Sequence, residues 1–420
     1  MKPHNEIINT YLYYGYLPDP DVQLPESLRR WFDGELTSSN YNNATKADLT
    51  KIGSKILIDT FQQEIANYHN STNVVPLSGG LDSRAILANL IENFDTSKII
   101  TVTFGLPGSP DYETAKSIAK KTGLRWAGID LSPGKMKWNT DMLINTAKQS
   151  ERPTRLFDSA INHTIQLKFG KDSVYWSGFM GDSLGRVIPD YKMIKSWEAG
   201  KSAFIQKNCH CKNFSLSTTD YHPEMQLPDQ PLTSTERLDY YSQLNYCIRQ
   251  QCLTKHIYSP KGYDIRYPFL NPKWIAFFLS VPRNHRYHQS LYRKILCFSY
   301  PHLFNRWNSP KKDSHRLKVL IGKRYKKIYN KCLKIGIPNY FLNTPSHNVN
   351  YIDWNYALRY QDDFKNTVYS NLQDLKARKI IDWLDIDKIW TIHQNIQTNL
   401  SSELMVLAAL EIHLKAKTIS

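Results

Sequence analysis

Apolar positions along the chain follow two rhythms. Between Leu49 and Tyr68, Ile52, Ile56, Leu57, Phe61 and Ile65 recur at helical intervals, and the short apolar run Val74 to Leu77 follows. This pattern predicts a helix and then a strand. Ser78-Gly79-Gly80-Leu81-Asp82-Ser83 separates that strand from a helical run, Arg84 to Phe94, and Ile99 to Phe104 reads as a second strand. The turn-rich Gly105 to Pro110 leads into a helix from Asp111 to Lys121 that Gly123 stops. Ser173 to Trp176 predicts another short strand, again followed by a glycine-bearing loop, Ser177-Gly178-Phe179-Met180-Gly181-Asp182. Strand, loop and helix repeating in this order predict an α/β fold, a parallel sheet wound with helices. Its two glycine loops then meet at strand C-terminal ends, where doubly wound sheets bind ligands.

The later chain has a different texture. Residues 186–231 turn polar with few periodic runs, which predicts an insertion leaving the core. Beyond Leu232 the patterns are mainly helical, over Leu238 to Cys252, Pro272 to Ser280, Leu291 to Phe298, Ile380 to Thr391 and Ser402 to Lys415. A helical lobe over residues 232–420 follows from this, beside a core of about 70–185. No stretch approaches the ~20 consecutive apolar residues of a spanning helix, and the opening residues have no basic-then-apolar signal pattern, so a soluble cytoplasmic protein is expected.

Charge changes the picture in one place. Fifty-four Lys and Arg against 38 Asp and Glu give a formal charge of +16, which favours anionic partners. From Lys311 to Lys334 the chain holds ten Lys or Arg and one acid, Asp313. Leu317, Leu320, Ile321, Tyr325, Ile328, Cys332 and Ile335 recur there at spacings of three and four, predicting an amphipathic helix with a basic face. That face is either solvated or a peripheral contact with an anionic surface. The six cysteines are scattered, so reduced thiols are expected; Cys209-His210-Cys211 has no second pair at zinc-finger spacing, and no zinc is assigned.

The chemistry is concentrated in the first glycine loop. Two glycines let a backbone approach an anion closely, and the N–H groups of the following helix point at it. The G-x-x-x-x-G-K-[ST] loop is absent from the chain, so γ-phosphate transfer has no support. Asp82 instead supplies oxygen to Mg²⁺, while Ser78, Ser83 and the amides of Gly79 and Gly80 bind pyrophosphate oxygens, an arrangement suited to cleaving ATP between its α- and β-phosphates.

These residues resemble the N-type ATP pyrophosphatases, the adenine nucleotide alpha hydrolase-like fold with its PP-loop, and within them the synthetase domain of asparagine synthetases. Further segments carry the resemblance. Phe104-Gly105-Leu106-Pro107-Gly108-Ser109-Pro110-Asp111, with Ala115, Ala119 and Gly123, is similar to the second strand and its loop and helix. Ser177-Gly178-x-x-Gly181-Asp182 is similar to S-G-E-G-x-D, Asp264 to Asn271 resembles E-x-R-x-P-F-L-D, and Pro310-Lys311 lies where the family has its catalytic lysine. The resemblance implies that Leu77, Phe104, Ser177 and Gly178 border adenine and ribose, that Asp82 and Asp182 hold Mg²⁺–pyrophosphate, and that Lys311 stabilises charge on the α-phosphate; Lys312 is the substitute if the register slips. It implies an ATP-dependent ligase that adenylates a small-molecule carboxylate, releases pyrophosphate and passes the acyl group to ammonia or an amine.

Several departures shape the expectation. The chain begins Met1-Lys2-Pro3, and Tyr11 to Pro18 resembles the junction after an amidotransferase domain, so residues 1–48 are expected to be a linker remnant and 49–420 the synthetase-like domain. Nitrogen would then come from free ammonia, a separate glutaminase or an amine. Phe179 stands where the family carries a glutamate, which suggests a bulkier amine packed against its ring. Asp264 and Asn271 replace Glu and Asp at substrate-side positions, and Pro76 suggests that its strand ends just before the loop. A role in surface polysaccharide or other specialised biosynthesis fits these variants by association. The alternatives are a tRNA lysidine synthetase-like enzyme and a catalytically inactive binding relative; Phe104 to Asp111 and Arg266 to Leu270 favour the amide-forming reading, with no nucleic acid partner expected.

Overall fold

A computed structural model of the chain describes residues 3–36, 41–66, 68, 70–185, 194–234, 238–304 and 351–419. At its centre lies a five-stranded sheet in which every pairing is parallel. The strands are β1 (Thr72–Pro76), β2 (Ile99–Gly105), β3 (Arg125–Asp130), β4 (Ser173–Trp176) and β5 (Asp264–Arg266), in the spatial order β3-β2-β1-β4-β5. Successive strands move one way from β1 to β3 and then cross to the other side for β4 and β5. The order therefore reverses at β1, and the crevice at the C-terminal ends of β1 and its neighbours is where such a sheet takes a ligand.

Alternation along the strands sends neighbouring side chains to opposite faces. Val75, Leu77, Val174 and Trp176 enter one core, while Val74, Val102 and Tyr175 enter the other. The first core is closed by α3 (Lys46–Ile65), α4 (Leu81–Asn93), α12 (Pro272–Ser280) and α14 (Ser290–Ser299), through residues such as Leu57, Ile86, Phe277 and Ile295. A fully buried Leu or Ile of this kind contributes roughly 1.5–3 kcal/mol relative to its exposed state. On the opposite face α7 (Leu156–Phe169) supplies Ile165, and Phe104 and Ile129 join this layer to a larger helical cluster. That cluster is built from α1 (Pro3–Tyr14), α6 (Thr140–Gln149), α16 (Trp354–Tyr360), α17 (Asp362–Arg378), α18 (Ile386–Gln394) and α19 (Ser401–Lys415).

Pro76 ends β1, as its missing donor suggests. Leu77 N–H reaches Val102 O at 2.7 Å on the β2 side, so by alternation the nitrogen of Pro76 faces β4, beyond the last paired residues Val74 and Tyr175. Two segments differ from expectation. Within the supposed linker, α1 buries Ile8, Tyr11 and Leu12 against the α19 residues Leu404 and Leu407. Within the supposed polar insertion, α9 (Trp197–Asn208) buries Trp197 and Phe204 with Tyr14, Tyr16, Tyr241 and Leu244. Both are short runs whose apolar residues find partners only from distant segments. The predicted helix at 380–391 starts later, at Ile386, because Asp385 accepts the Lys388 N–H at 2.9 Å and caps it there. The predicted helix from Leu238 is α10 (Tyr240–Leu244) followed by a π-helical stretch, Asn245–Thr254.

Candidate active site

The loop after β1 is held by its own hydroxyls. Ser78 N–H donates to Ser83 Oγ at 3.1 Å, the two hydroxyls lie 3.2 Å apart, and Ser78 Oγ accepts the Gly80 N–H at 3.1 Å. Gly80 is the N-cap of α4 and has no side-chain cap bond, so the first turn of this 13-residue helix keeps amides for an anion. From below, the buried Arg84 donates to Gly79 O at 2.8 Å and lays its guanidinium over the Phe304 ring, 5.3 Å from the centroid. A side chain at residue 79 would strike Asp111, whose Oδ1 lies 2.6 Å from the position of an added Cβ. The Ser109-Pro110-Asp111 segment after β2 is thus packed against the loop after β1.

Adjacent pairing of β1 and β4 brings the second glycine loop alongside. Added Cβ atoms at Gly178 and Gly181 would lie 2.9 Å from Asp82 Cβ and 2.7 Å from Asp82 Cγ, so both glycines are required by the close approach of the loops. Asp182 N–H donates to Asp82 Oδ2 at 3.0 Å, and Tyr292 OH donates to Asp82 Oδ1 at 2.8 Å. Gln289 donates its amide to Asp182 Oδ1. Burial pushes the Asp82 carboxyl up to about 7, with the Asp182 charge adding to the rise and the hydrogen bonds from Tyr292 and the Asp182 backbone opposing it. Beneath the loop, Tyr246 OH reaches Ser183 O at 2.5 Å and the buried Arg286 points one nitrogen at Leu184 O, 3.5 Å away.

The remaining expected residues are distributed as follows. Leu77 is buried, and its carbonyl accepts the Thr103 hydroxyl at 2.9 Å. Phe104 is half-buried, with its ring 5.7 Å from that of Tyr351. Ser177 N–H donates to Arg266 O at 2.9 Å, and Ser177 Oγ accepts the Phe179 N–H at 3.2 Å. Leu77, Phe104, Ser177 and Gly178 thus all lie at or beside the C-terminal ends of β1, β2 and β4. Lys311, Lys312 and the basic segment 311–334 lie outside the described residues.

Three substrate-side expectations meet local explanations instead. The Phe179 ring is only 5% exposed and packs edge-on against Tyr267 at 5.6 Å, so the core takes up the surface that was to face an amine. Asp264 pairs with Arg266 at 2.7 Å on the edge strand β5. Asn271 caps α12 by accepting the Lys273 N–H at 2.9 Å.

A second polar place opens at the start of α7, which runs back along the sheet and so begins at the same edge as the loops. Arg155, Asp158, Tyr11, His210, Trp354 and Met405 line a small recess there. Burial pushes the Arg155 guanidinium down, opposed by Asp158, and pushes the Asp158 carboxyl up, opposed by Arg155. Tyr351, whose ring lies against Phe104, has its hydroxyl pushed up to about 12 by burial, with Tyr258, Asp111 and Asp158 adding to the rise.

Among the described residues no group of three or more His, Cys, Asp and Glu side chains is placed to hold a metal ion. A magnesium ion shared with phosphates asks for less, since it commonly takes one or two carboxylates with phosphate and water oxygens completing the octahedron. Asp82 and Asp182 fit that role. They are two acids in contact across two loops, one raised by burial and like charge, and a cation would compensate both effects.

Fold and loops define a parallel α/β protein whose two glycine loops meet at the point where its strand order reverses. Residues 73–167, from β1 through most of α7, match the family model of the asparagine synthase domain. No curated protein matches the chain. The domain supports an ATP-dependent, amide-forming synthetase, and family members use ATP. No helix among the described residues is long and apolar enough to cross a membrane.

Proposed function

We propose that the protein is a ligase that adenylates a small-molecule carboxylate with ATP and transfers the acyl group to ammonia or an amine. One observation carries the reading: two glycine loops, at the ends of adjacent parallel strands, press Asp82 and Asp182 together beside a helix N-terminus. The Gly79 amide, the amides of the first turn of α4 after Gly80 and the hydroxyls of Ser78 and Ser83 bind the β- and γ-phosphates, which become the pyrophosphate leaving group. Asp82 and Asp182 hold Mg²⁺, which neutralises charge on that leaving group. Leu77, Phe104, Ser177 and Gly178 border the adenosine. A carboxylate oxygen attacks the α-phosphorus, the bond to the β-phosphate oxygen breaks and pyrophosphate departs. The amine nitrogen then attacks the acyl carbon, loses a proton, and AMP leaves with the C–O electron pair. Lys311, assigned from its place in the sequence, supplies positive charge at the α-phosphate. Arg155, in the small recess at the start of α7, supports recognition of an anionic acid.

The test is AMP and pyrophosphate formation with a panel of carboxylates, sugar uronates included, and with glutamine, ammonium and amino compounds as nitrogen sources. Asp82→Asn, Asp182→Asn and Lys311→Ala are each expected to lower pyrophosphate release by orders of magnitude while thermal stability is retained. Near-normal turnover in either aspartate variant sinks the assignment.

A further inference from the structure

Beyond the Asp182 N–H that Asp82 accepts, each of the two acids is held by a side chain from an element more than a hundred positions away. Both holders come from the start of α14. Gln289, the residue before its first turn, donates to Asp182, and Tyr292 donates to Asp82 Oδ1 at 2.8 Å. A spacing of three puts the two donors on one side of the helix. The chain leading into α14 is strained to achieve this. His288 and Gln289 are both in the left-handed region, at φ 53° and 60°, a conformation that costs a residue with a side chain on the order of 1 kcal/mol or more. On the facing loop Met180 is left-handed too, at φ 70°. Half of the non-glycine residues with positive φ among the described residues therefore cluster at the carboxylate pair, three of the six.

We propose that the first turn of α14 is a carboxylate clamp, in which Gln289 and Tyr292 are positioning residues that fix Asp182 and Asp82 for a divalent cation bound with ATP. The inference rests on the metal–nucleotide role proposed above for the two aspartates. Both donors are neutral, so they orient the acids without cancelling the charge that attracts the cation. Each acid also retains oxygen lone pairs beyond those used in the clamp. Tyr292 is set by packing rather than by its hydroxyl: it is fully buried, lies against Phe269, Trp274 and Phe278, and comes within 3.0 Å of the position of an added Cβ on Gly185.

The experiment measures Mn²⁺ binding by electron paramagnetic resonance, in the presence of an ATP analogue with a methylene group between the α- and β-phosphates. Binding of the analogue without metal and thermal unfolding are measured alongside. Tyr292→Phe keeps the ring and its packing. Gln289→Gly removes the amide and relieves the left-handed strain, so its thermal midpoint should hold or rise. Each variant is expected to weaken Mn²⁺ binding on the order of tenfold, as loss of a hydrogen bond to a charged group does, with metal-free analogue binding unchanged. A stabilised Gln289→Gly protein that binds Mn²⁺ poorly is a result a merely structural residue cannot give. Unchanged Mn²⁺ affinity in both variants, with normal binding by the native chain, overturns the clamp alone. Absence of any metal-dependent analogue binding by the native chain overturns the parent reading and the clamp with it.

Discussion

Arg84 carries its charge into a place water barely reaches. It is 4% exposed, burial pushes its guanidinium down, and among the described residues its Nε has no hydrogen-bond partner. What it supplies in return is a tether, the 2.8 Å bond to Gly79 O that fixes the phosphate loop from behind. A buried charge exchanged for an apolar chain of similar length is often neutral for stability. Arg84→Met should therefore leave the thermal midpoint within a few degrees of the native value while ATP-dependent pyrophosphate release falls about tenfold, since small misplacements of a binding loop are costly. An unchanged rate would show that the loop needs no tether. Arg84 also marks what could be read from the chain and what could not. Asp82, Asp182 and both glycine loops were legible because each motif is local, a strand end followed at once by glycines and an acid. Tyr292 and Gln289 carry no such signature. They lie 210 and 107 positions from the acids they hold, and only the fold of α14 onto the sheet makes them part of the site.

Helix α14 reaches the site because α3 lets it come close. At their crossing Gly53 has no side chain, and an added Cβ would lie 2.8 Å from Phe277 Cε1 and closer still to Ile295 Cδ1. In an isolated helix Gly→Ala would stabilise by about 0.8–1 kcal/mol. Here overpacking, typically 1–3 kcal/mol, outweighs that gain. Gly53→Ala is therefore expected to be destabilising by up to roughly 2 kcal/mol in chemical denaturation, and to weaken nucleotide-dependent metal binding as α14 shifts. A more stable variant would show that the crossing is loose. The helices of this crossing were legible. The spacing from Leu49 gave α3 within three residues of its bounds, and Pro272–Ser280 is α12 as predicted, because long amphipathic or apolar runs announce themselves. The outer strands were not. Every residue of β3 is at least partly exposed and the strand includes Gly128, while β5 is three residues long, so neither has a period to detect.

At the scale of the whole molecule, the sheet and its two apolar layers were foreshadowed by the strand–loop–helix alternation, but the closure of the chain on itself was not. Helix α1 docks on α19, and His413 of α19 lies at that contact: its ring meets Tyr11 edge-on at 5.3 Å, and its Nε2 lies 3.3 Å from Thr154 O, to which Tyr11 OH also donates. Such histidines recur in the interior. Burial pushes His163, His256 and His413 down to about 4 and His210 and His393 down to about 3. The unfolded chain binds a proton at each near pH 6.5, well before the folded protein does. At these rings the unfolded state thus holds more protons between these values, so their contribution to stability is complete above pH 6.5 and is lost as the pH falls through 6 towards 4. The raised Asp82 and Asp158 carboxyls act in the opposite direction. Each ring adds on the order of 1–3 kcal/mol to that slope, and all five act in the same direction. Thermal unfolding across this range, with nucleotide and metal omitted, should show a steep fall in the midpoint between pH 6.5 and 4.5. His163→Phe keeps a buried ring but removes one titrating group, so its fall should be shallower. A midpoint that stays flat over this interval would mean that these rings already carry protons in the folded protein, and that the helical cluster is wetter than its packing indicates.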